Sequence, residues 1–348
     1  MCVIAVAAQA SAEVADAPAR VAAEGAAPSA SGVGAGASGA APSAAEIDPD
    51  PAAPESRASV AYLWIAAGTI AAIVALHARG RRPLGLGPER VRWPIAPGPS
   101  VFLMALLMMA GAAAASGAVQ LAGEGSSEGL RRNAIASLAN GSAQVLLIAG
   151  IWWAHSGLLG ARASAQSPAG DQSEPVPPAH AAAPMRPMRA AAIGALAMAI
   201  GWSVTQAAGV IGLSIQQRIS GEPAPGAAHR TLEAMGQSGD ALWIAVTAFA
   251  AVVLAPLVEE ILYRGALQQA LKGIGVPRTL ALFGASALFA IAHWGSLVSG
   301  AQAGALAMLM LLGLIFGWAY ERTGSMWAPV AAHATFNAAN LAILLAQR

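Results

Sequence analysis

From residue 59 onward the chain repeats one pattern. Apolar runs of about 20 residues alternate with short segments rich in Pro, Gly, Ser and Arg. Eight runs stand out, at approximately 59–78, 101–122, 135–154, 190–213, 241–272, 279–297, 301–320 and 326–346. A helix rises 1.5 Å per residue, so about 20 residues cross the hydrocarbon of a bilayer. The pattern therefore predicts an all-α fold, a polytopic bundle of about eight transmembrane helices. The third run is the weakest, because Asn140, Ser142 and Gln144 interrupt it. The fifth exceeds what a crossing needs, so part of it is expected to project into the interface. No internal repeat of 20–50 residues is visible.

The segments between and before the runs complete the layout. Residues 1–58 are mostly Ala, Gly, Ser and Pro, with too little bulky apolar surface to offset chain entropy, and a disordered tail is expected. The short run Val3–Ala8 has no basic residue ahead of it, which argues against a signal peptide. Residues 59–213 form a first group of spans, interrupted by a Pro- and Ala-rich stretch at 155–189 expected to be a flexible loop. Residues 241–346 form a second group, and it holds the candidate chemistry.

Composition supports the membrane reading. Only 11% of residues are Asp, Glu, Lys or Arg, where soluble domains carry roughly 25%. Hydrophobic residues reach 56%. A net charge of +1 offers no basic surface for nucleic acid, and a single cysteine excludes an intrachain disulfide framework. Arginine outnumbers lysine 18 to 1, a bias read as genomic base composition. With the N-terminus outside, twelve of the 19 Arg and Lys residues fall on the inner side and seven on the outer. The cluster Arg79–Arg92 makes the largest contribution, and positive charge prefers the cytoplasmic side. An integral, multi-pass protein of a bacterial inner (cell) membrane is expected.

Carboxylates inside hydrocarbon are costly and mark functional sites. Two adjoin here, Glu259 and Glu260, in Ala-Pro-Leu-Val-Glu-Glu-Ile-Leu-Tyr-Arg-Gly. Arg264 follows Glu260 by one helical turn and can pair with it. Neighbouring residues point about 100° apart on a helix, so the two acids need not share a role. The bland alternative is a solvated ion pair at a helix end. His293 ends Phe-Ala-Ile-Ala-His, with Phe289 one turn before it. His333 opens His-Ala-Thr-Phe-Asn, with Asn337 one turn after it. Either histidine alone would read as a satisfied packing residue, but both follow the acid pair. Counting 1.5 Å per residue from the inner turns puts Glu260, His293, His333 and Asn337 at about 18, 22, 10 and 16 Å, comparable depths given helix tilt.

Glu-Glu-x-x-x-Arg, Phe-x-x-x-His and His-x-x-x-Asn, in that order on successive spans, resemble the CPBP family of intramembrane proteases. That family includes type II CAAX prenyl endopeptidases and Abi-type, bacteriocin-related members. The resemblance covers about residues 240–346. It implies an eight-helix core open to the cytoplasm and hydrolysis of a peptide bond in a membrane-associated protein or peptide. On that reading Glu259 activates water held with His293, Glu260 pairs with Arg264 or shares protons with Glu259 as a second catalytic acid, and His333 and Asn337 donate to the oxyanion. The same chemistry follows from the residue types, since a carboxylate in a dry cavity is a strong base toward water. Family members are commonly called metalloproteases. If a divalent metal such as zinc is present, Glu259, His293 and His333 are its expected ligands, although no His-Glu-x-x-His occurs.

Other readings fit less well. An aspartyl-type site would need Gly-x-Gly-Asp, and Gln237-Ser238-Gly239-Asp240 lacks the first glycine. A serine dyad through Ser286 lacks its trailing glycine, and small residues there suit close helix packing. A non-catalytic scaffold or bacteriocin-immunity protein remains an alternative. A proton-coupled carrier is a second, weakened by the absence of duplicated halves. Trp152, Trp153, Trp243, Trp318 and Trp327 are expected as interfacial anchors. Trp294, beside His293, is the candidate to wall a cavity.

Overall fold

The computed structural model describes residues 54–91, 93–122, 129–165, 183–221 and 228–347. The tail expected at 1–58 lies almost wholly outside them. Among the described residues the secondary structure is helical, apart from one isolated bridge between His229 and Leu297. The helices are α1 Pro54–Ala78, α2 Pro97–Leu121, α3 Gly129–Ala165, α4 Pro187–Ser220, the short α5 Arg230–Gln237, and α6 Ala241–Gly273. They continue as α7 Arg278–Ala292, α8 Gln302–Thr323 and α9 Trp327–Ala346. Eight segments are long and apolar enough to cross a membrane, and they overlay the eight apolar runs of the sequence.

Boundaries differ where capping outweighs hydropathy. Pro97 and Pro187 stand at the first positions of α2 and α4, ahead of the apolar residues. A missing N–H costs nothing there, and the fixed φ suits a helix start. α3 runs to Ala165, into the stretch expected as a loop, and residues 166–182 lie outside the description. Asp240, whose string only half matches an aspartyl motif, caps α6 by accepting from the N–H groups of Leu242 and Trp243. Gly324, in the Glu-Arg-Thr-Gly-Ser turn, closes α8 at φ 68°, which favours a residue without Cβ.

α4 is the spine, packed on α1, α8 and α9. Gly194 lies against the Ala328 backbone, and Gly209 and Gly212 against Gly304, at separations a Cβ would close. Small residues let membrane helices approach this far without a hydrophobic driving force between them. α2 and α3 form a hairpin on one flank of α6, while α7 and α8 pack on the other. Helix α6 therefore runs between two groups, and the site forms along it.

Candidate active site

Helix α6 is not uniformly α. Ala250–Leu254 and Ile261–Leu267 are π-helical, and the Ala255 and Gln268 N–H groups reach back five residues to Ala250 and Tyr263. Pro256 follows the first wide turn. Inside an α-helix a proline removes one backbone bond and clashes with the preceding turn, and a π turn gives it room. Each wide turn also rotates the helix face. Glu259 and Glu260 sit in the short α segment between the two.

The acids have different surroundings. Glu260 is fully buried. Its Oε2 lies 3.1 Å from Arg264 Nε, and its Oε1 accepts from His333 Nδ1 at 2.8 Å. Arg264, equally buried, also donates to the Gly313 carbonyl, and its guanidinium lies over the rings of Phe289 (4.6 Å) and Phe316 (5.3 Å). His333 stacks on Phe316 at 4.8 Å between centroids. A buried ion pair is tolerated only with such geometry and complete partners. Phe289 thus supports Arg264 on one side and His293, 4.7 Å away, on the other.

Glu259 keeps 14% of its side chain exposed and lines a cavity of about 440 Å³. His293 Nε2 stands 3.7 Å and His333 Nε2 3.9 Å from its Oε2. Those separations exceed a hydrogen bond and suit an intervening water. His293 Nδ1 meets the Phe289 carbonyl at 2.7 Å. A carbonyl only accepts, so Nδ1 carries the hydrogen and Nε2 of the neutral ring presents a lone pair.

The expected residues converge, with one difference of placement. Glu259 and His293 line the cavity, and Glu260, Arg264, Phe289 and His333 form the layer behind them. Asn337 of α9 is buried about two turns back along α6 from Glu259, where its Nδ2 donates to the Ala251 carbonyl at 2.7 Å. It ties α9 to the first π turn. Trp294 is 57% exposed and starts a 3₁₀ turn away from the cavity lining. Ser286 Oγ donates to Leu282 within α7, and the residue packs on Gly313, the role of a small residue at a close crossing.

Other residues complete the cavity. Tyr263 lines it from α6, Ser296 from the turn after His293, and Ser137, Asn140 and Gln144 from α3. The last two were visible only as interruptions of an apolar run. The rim residues Met108, Ala112 and Ala292 are exposed on surfaces that hydropathy assigns to lipid, and α2 has no extended interface with α7 among the described residues. His229, outside the spans, is buried against the same end of the bundle. The Ala228 carbonyl accepts from Val298, and His229 Nδ1 accepts from the Thr231 N–H to cap α5. Burial, with the adjacent Arg230 charge adding to it, lowers the His229 pKa to about 3.

Glu259, His293 and His333 are donor types that zinc accepts. Among the described residues, however, no three His, Cys, Asp or Glu side chains are grouped as metal ligands.

No curated protein and no solved structure matches the chain. Residues 241–339 match a family model, described as the type II CAAX prenyl endopeptidase Rce1-like family. That region spans α6 to α9 and every acid, imidazole and amide singled out by the motifs. Over these residues the match agrees with the likeness of the motifs to the CPBP intramembrane proteases.

Proposed function

We propose that this protein is an endopeptidase that hydrolyses a peptide bond of a membrane-associated substrate, with a water activated by Glu259, in a bacterial cell membrane. The observation that carries the reading is the placement of Glu259 Oε2 at a cavity wall, 3.7 Å from an imidazole lone pair, with a second imidazole 3.9 Å behind it. A water between Glu259 and His293 gives one hydrogen to each acceptor. Its oxygen lone pair is then turned toward the cavity. As the oxygen attacks the substrate carbonyl carbon, Glu259 takes a proton. The carbonyl oxygen becomes the oxyanion. Glu259 then returns the proton to the leaving nitrogen, and the C–N bond breaks.

Arg264 and Glu260 hold His333 beside Glu259. Glu260 fixes His333 through Nδ1–H, so that Nε2 faces Glu259 and can exchange a proton with it. The oxyanion donors expected from the resemblance were His333 and Asn337. In this geometry His333 stands behind Glu259, and the Asn337 amide is committed to Ala251, which makes Asn337 a positioning residue. The donor proposed instead is the Tyr263 hydroxyl. Tyr263 lines the cavity four residues after Glu259, about one turn along the same helix.

A cavity rimmed by Met108, Ala112 and Ala292, on apolar helices, suits a substrate arriving from the bilayer. Access from the side that the arginines mark as cytoplasmic would run about 22 Å along α7 from Arg278 to His293. The CAAX prenyl class named by the matching family is the first substrate to try. The test is cleavage of a membrane-peptide library, including farnesylated Cys-aliphatic-aliphatic-X peptides, by wild-type and Glu259→Gln protein in proteoliposomes. The reading requires cleavage that Glu259→Gln abolishes, and equal cleavage by both proteins overturns it.

A further inference from the structure

α3 carries a polar stripe along the cavity. Its outer face shows Leu138 and Leu146 to lipid, as a spanning helix should. The opposite face sets Ser137, Asn140 and Gln144 at spacings of three and four residues, all lining the cavity across from Glu259. Amides at this depth are expensive unless they have partners.

Gln144 has one. It is buried, and its Nε2 donates to the Leu107 carbonyl at 3.1 Å, which locks α3 to α2. Asn140, one turn away, has no comparable role. It is half-buried, and its amide makes no hydrogen bond among the described residues. Its Oδ1 is turned onto Gly111 of α2, where an added Cβ would run into it. That leaves the Nδ2 donors for the cavity. The facing walls combine small residues, Ala112, Ala115, Ala250 and Ala255, with Met108, Val258 and Leu262.

A substrate must be extended to be cut, and an extended chain cannot satisfy its own N–H and C=O groups away from water. The cavity wall has to supply partners. We propose that Asn140 is a substrate-binding residue, whose amide donates to a main-chain carbonyl of an extended peptide lying between α3 and Glu259. The inference rests on the protease reading of the same cavity and adds the α2–α3 hairpin, which lies outside the matched family region, to the machinery.

The experiment measures binding, not turnover. Glu259→Gln protein in nanodiscs is titrated with a dye-labelled peptide ending Cys-Val-Leu-Ala, in farnesylated and free-thiol forms, and Kd is read by fluorescence anisotropy. Adding Asn140→Leu, or Asn140→Ala if the larger side chain prevents folding, should weaken binding about tenfold, the loss of one buried hydrogen bond. The thermal unfolding midpoint should stay within error. An unchanged Kd overturns the inference, and so does failure of the Glu259→Gln protein to bind either peptide. Asn140-dependent binding by a protein whose wild type cleaves neither peptide would uphold the binding role and overturn the protease.

Discussion

Two buried carboxylate clusters lie along α6, one at its C-terminal end and one at its middle, and their differences separate structure from chemistry. At the C-terminal end Glu321, fully buried, has every acceptor position filled. Its Oε1 accepts from Gln268 (3.0 Å), Gln269 (3.3 Å) and Lys272 (3.0 Å), and its Oε2 accepts from Arg278 at 3.0 and 2.8 Å. This cluster ties the end of α6, the start of α7 and the end of α8 together, and no imidazole takes part. At the middle the charge of Glu260 is equally compensated by Arg264 and His333, but one residue earlier Glu259 faces a cavity, with two imidazole nitrogens just beyond hydrogen-bond reach. A saturated cluster clamps helices. An acid left facing open volume beside a lone pair is equipped to hold water and move a proton.

The largest break in this contrast should come from Glu259→Gln. Peptide hydrolysis should fall by about 10²–10⁴-fold, the range for a general base, with the unfolding temperature unchanged. Glu321→Ala should do the reverse. It removes the shared acceptor of Gln268, Gln269, Lys272 and Arg278 and should cost about 3 kcal/mol of stability. Denaturant or thermal unfolding in detergent would show the loss, while any activity of the surviving folded fraction keeps its pH profile. If Glu321→Ala abolishes turnover in well-folded protein, the distinction between the clusters is wrong.

His229 sharpens the comparison at the cavity end. Its pKa is about 3 when folded and near 6.5 when unfolded, so the unfolded chain binds the extra proton. Stability from the buried neutral ring is full above pH 6.5 and lost as pH falls toward 3, roughly 3 kcal/mol by pH 4. His229→Asn keeps an oxygen to cap α5, and it should flatten the pH dependence of the melting temperature between pH 6.5 and 4. The smallest expected effect is that of Tyr263→Phe. Loss of the proposed oxyanion donor should lower kcat by at least about tenfold with little change in KM, and an unchanged kcat removes Tyr263 from the mechanism.

The eight spans were legible because hydrocarbon imposes one rule on every crossing helix, a run of about 20 apolar residues. The acid pair, Arg264 and the two histidines were legible because each breaks that rule. Other features were not. The π turns around Glu259 and Glu260 have only Pro256 as a local trace. Asn140 and Gln144 looked like flaws in a weak span, because no local pattern says which face of α3 meets α6. Asn337 kept the spacing expected of a site residue, but the wide turn beneath it presents the Ala251 carbonyl and takes up its amide.

The order and length of the membrane helices, and the costly polar groups they carry, were set by the chain's own residues, since hydrocarbon penalises each group where it stands whatever its neighbours. Which of those groups would face one another was decided by packing. The glycine contacts that seat α8 and α9 on α4, and the two wide turns of α6, bring residues more than 70 positions apart to within 4 Å. Spacing along single helices does not encode contacts between them, so only the tertiary structure separates the acid that faces a cavity from the acid beside it that holds the frame.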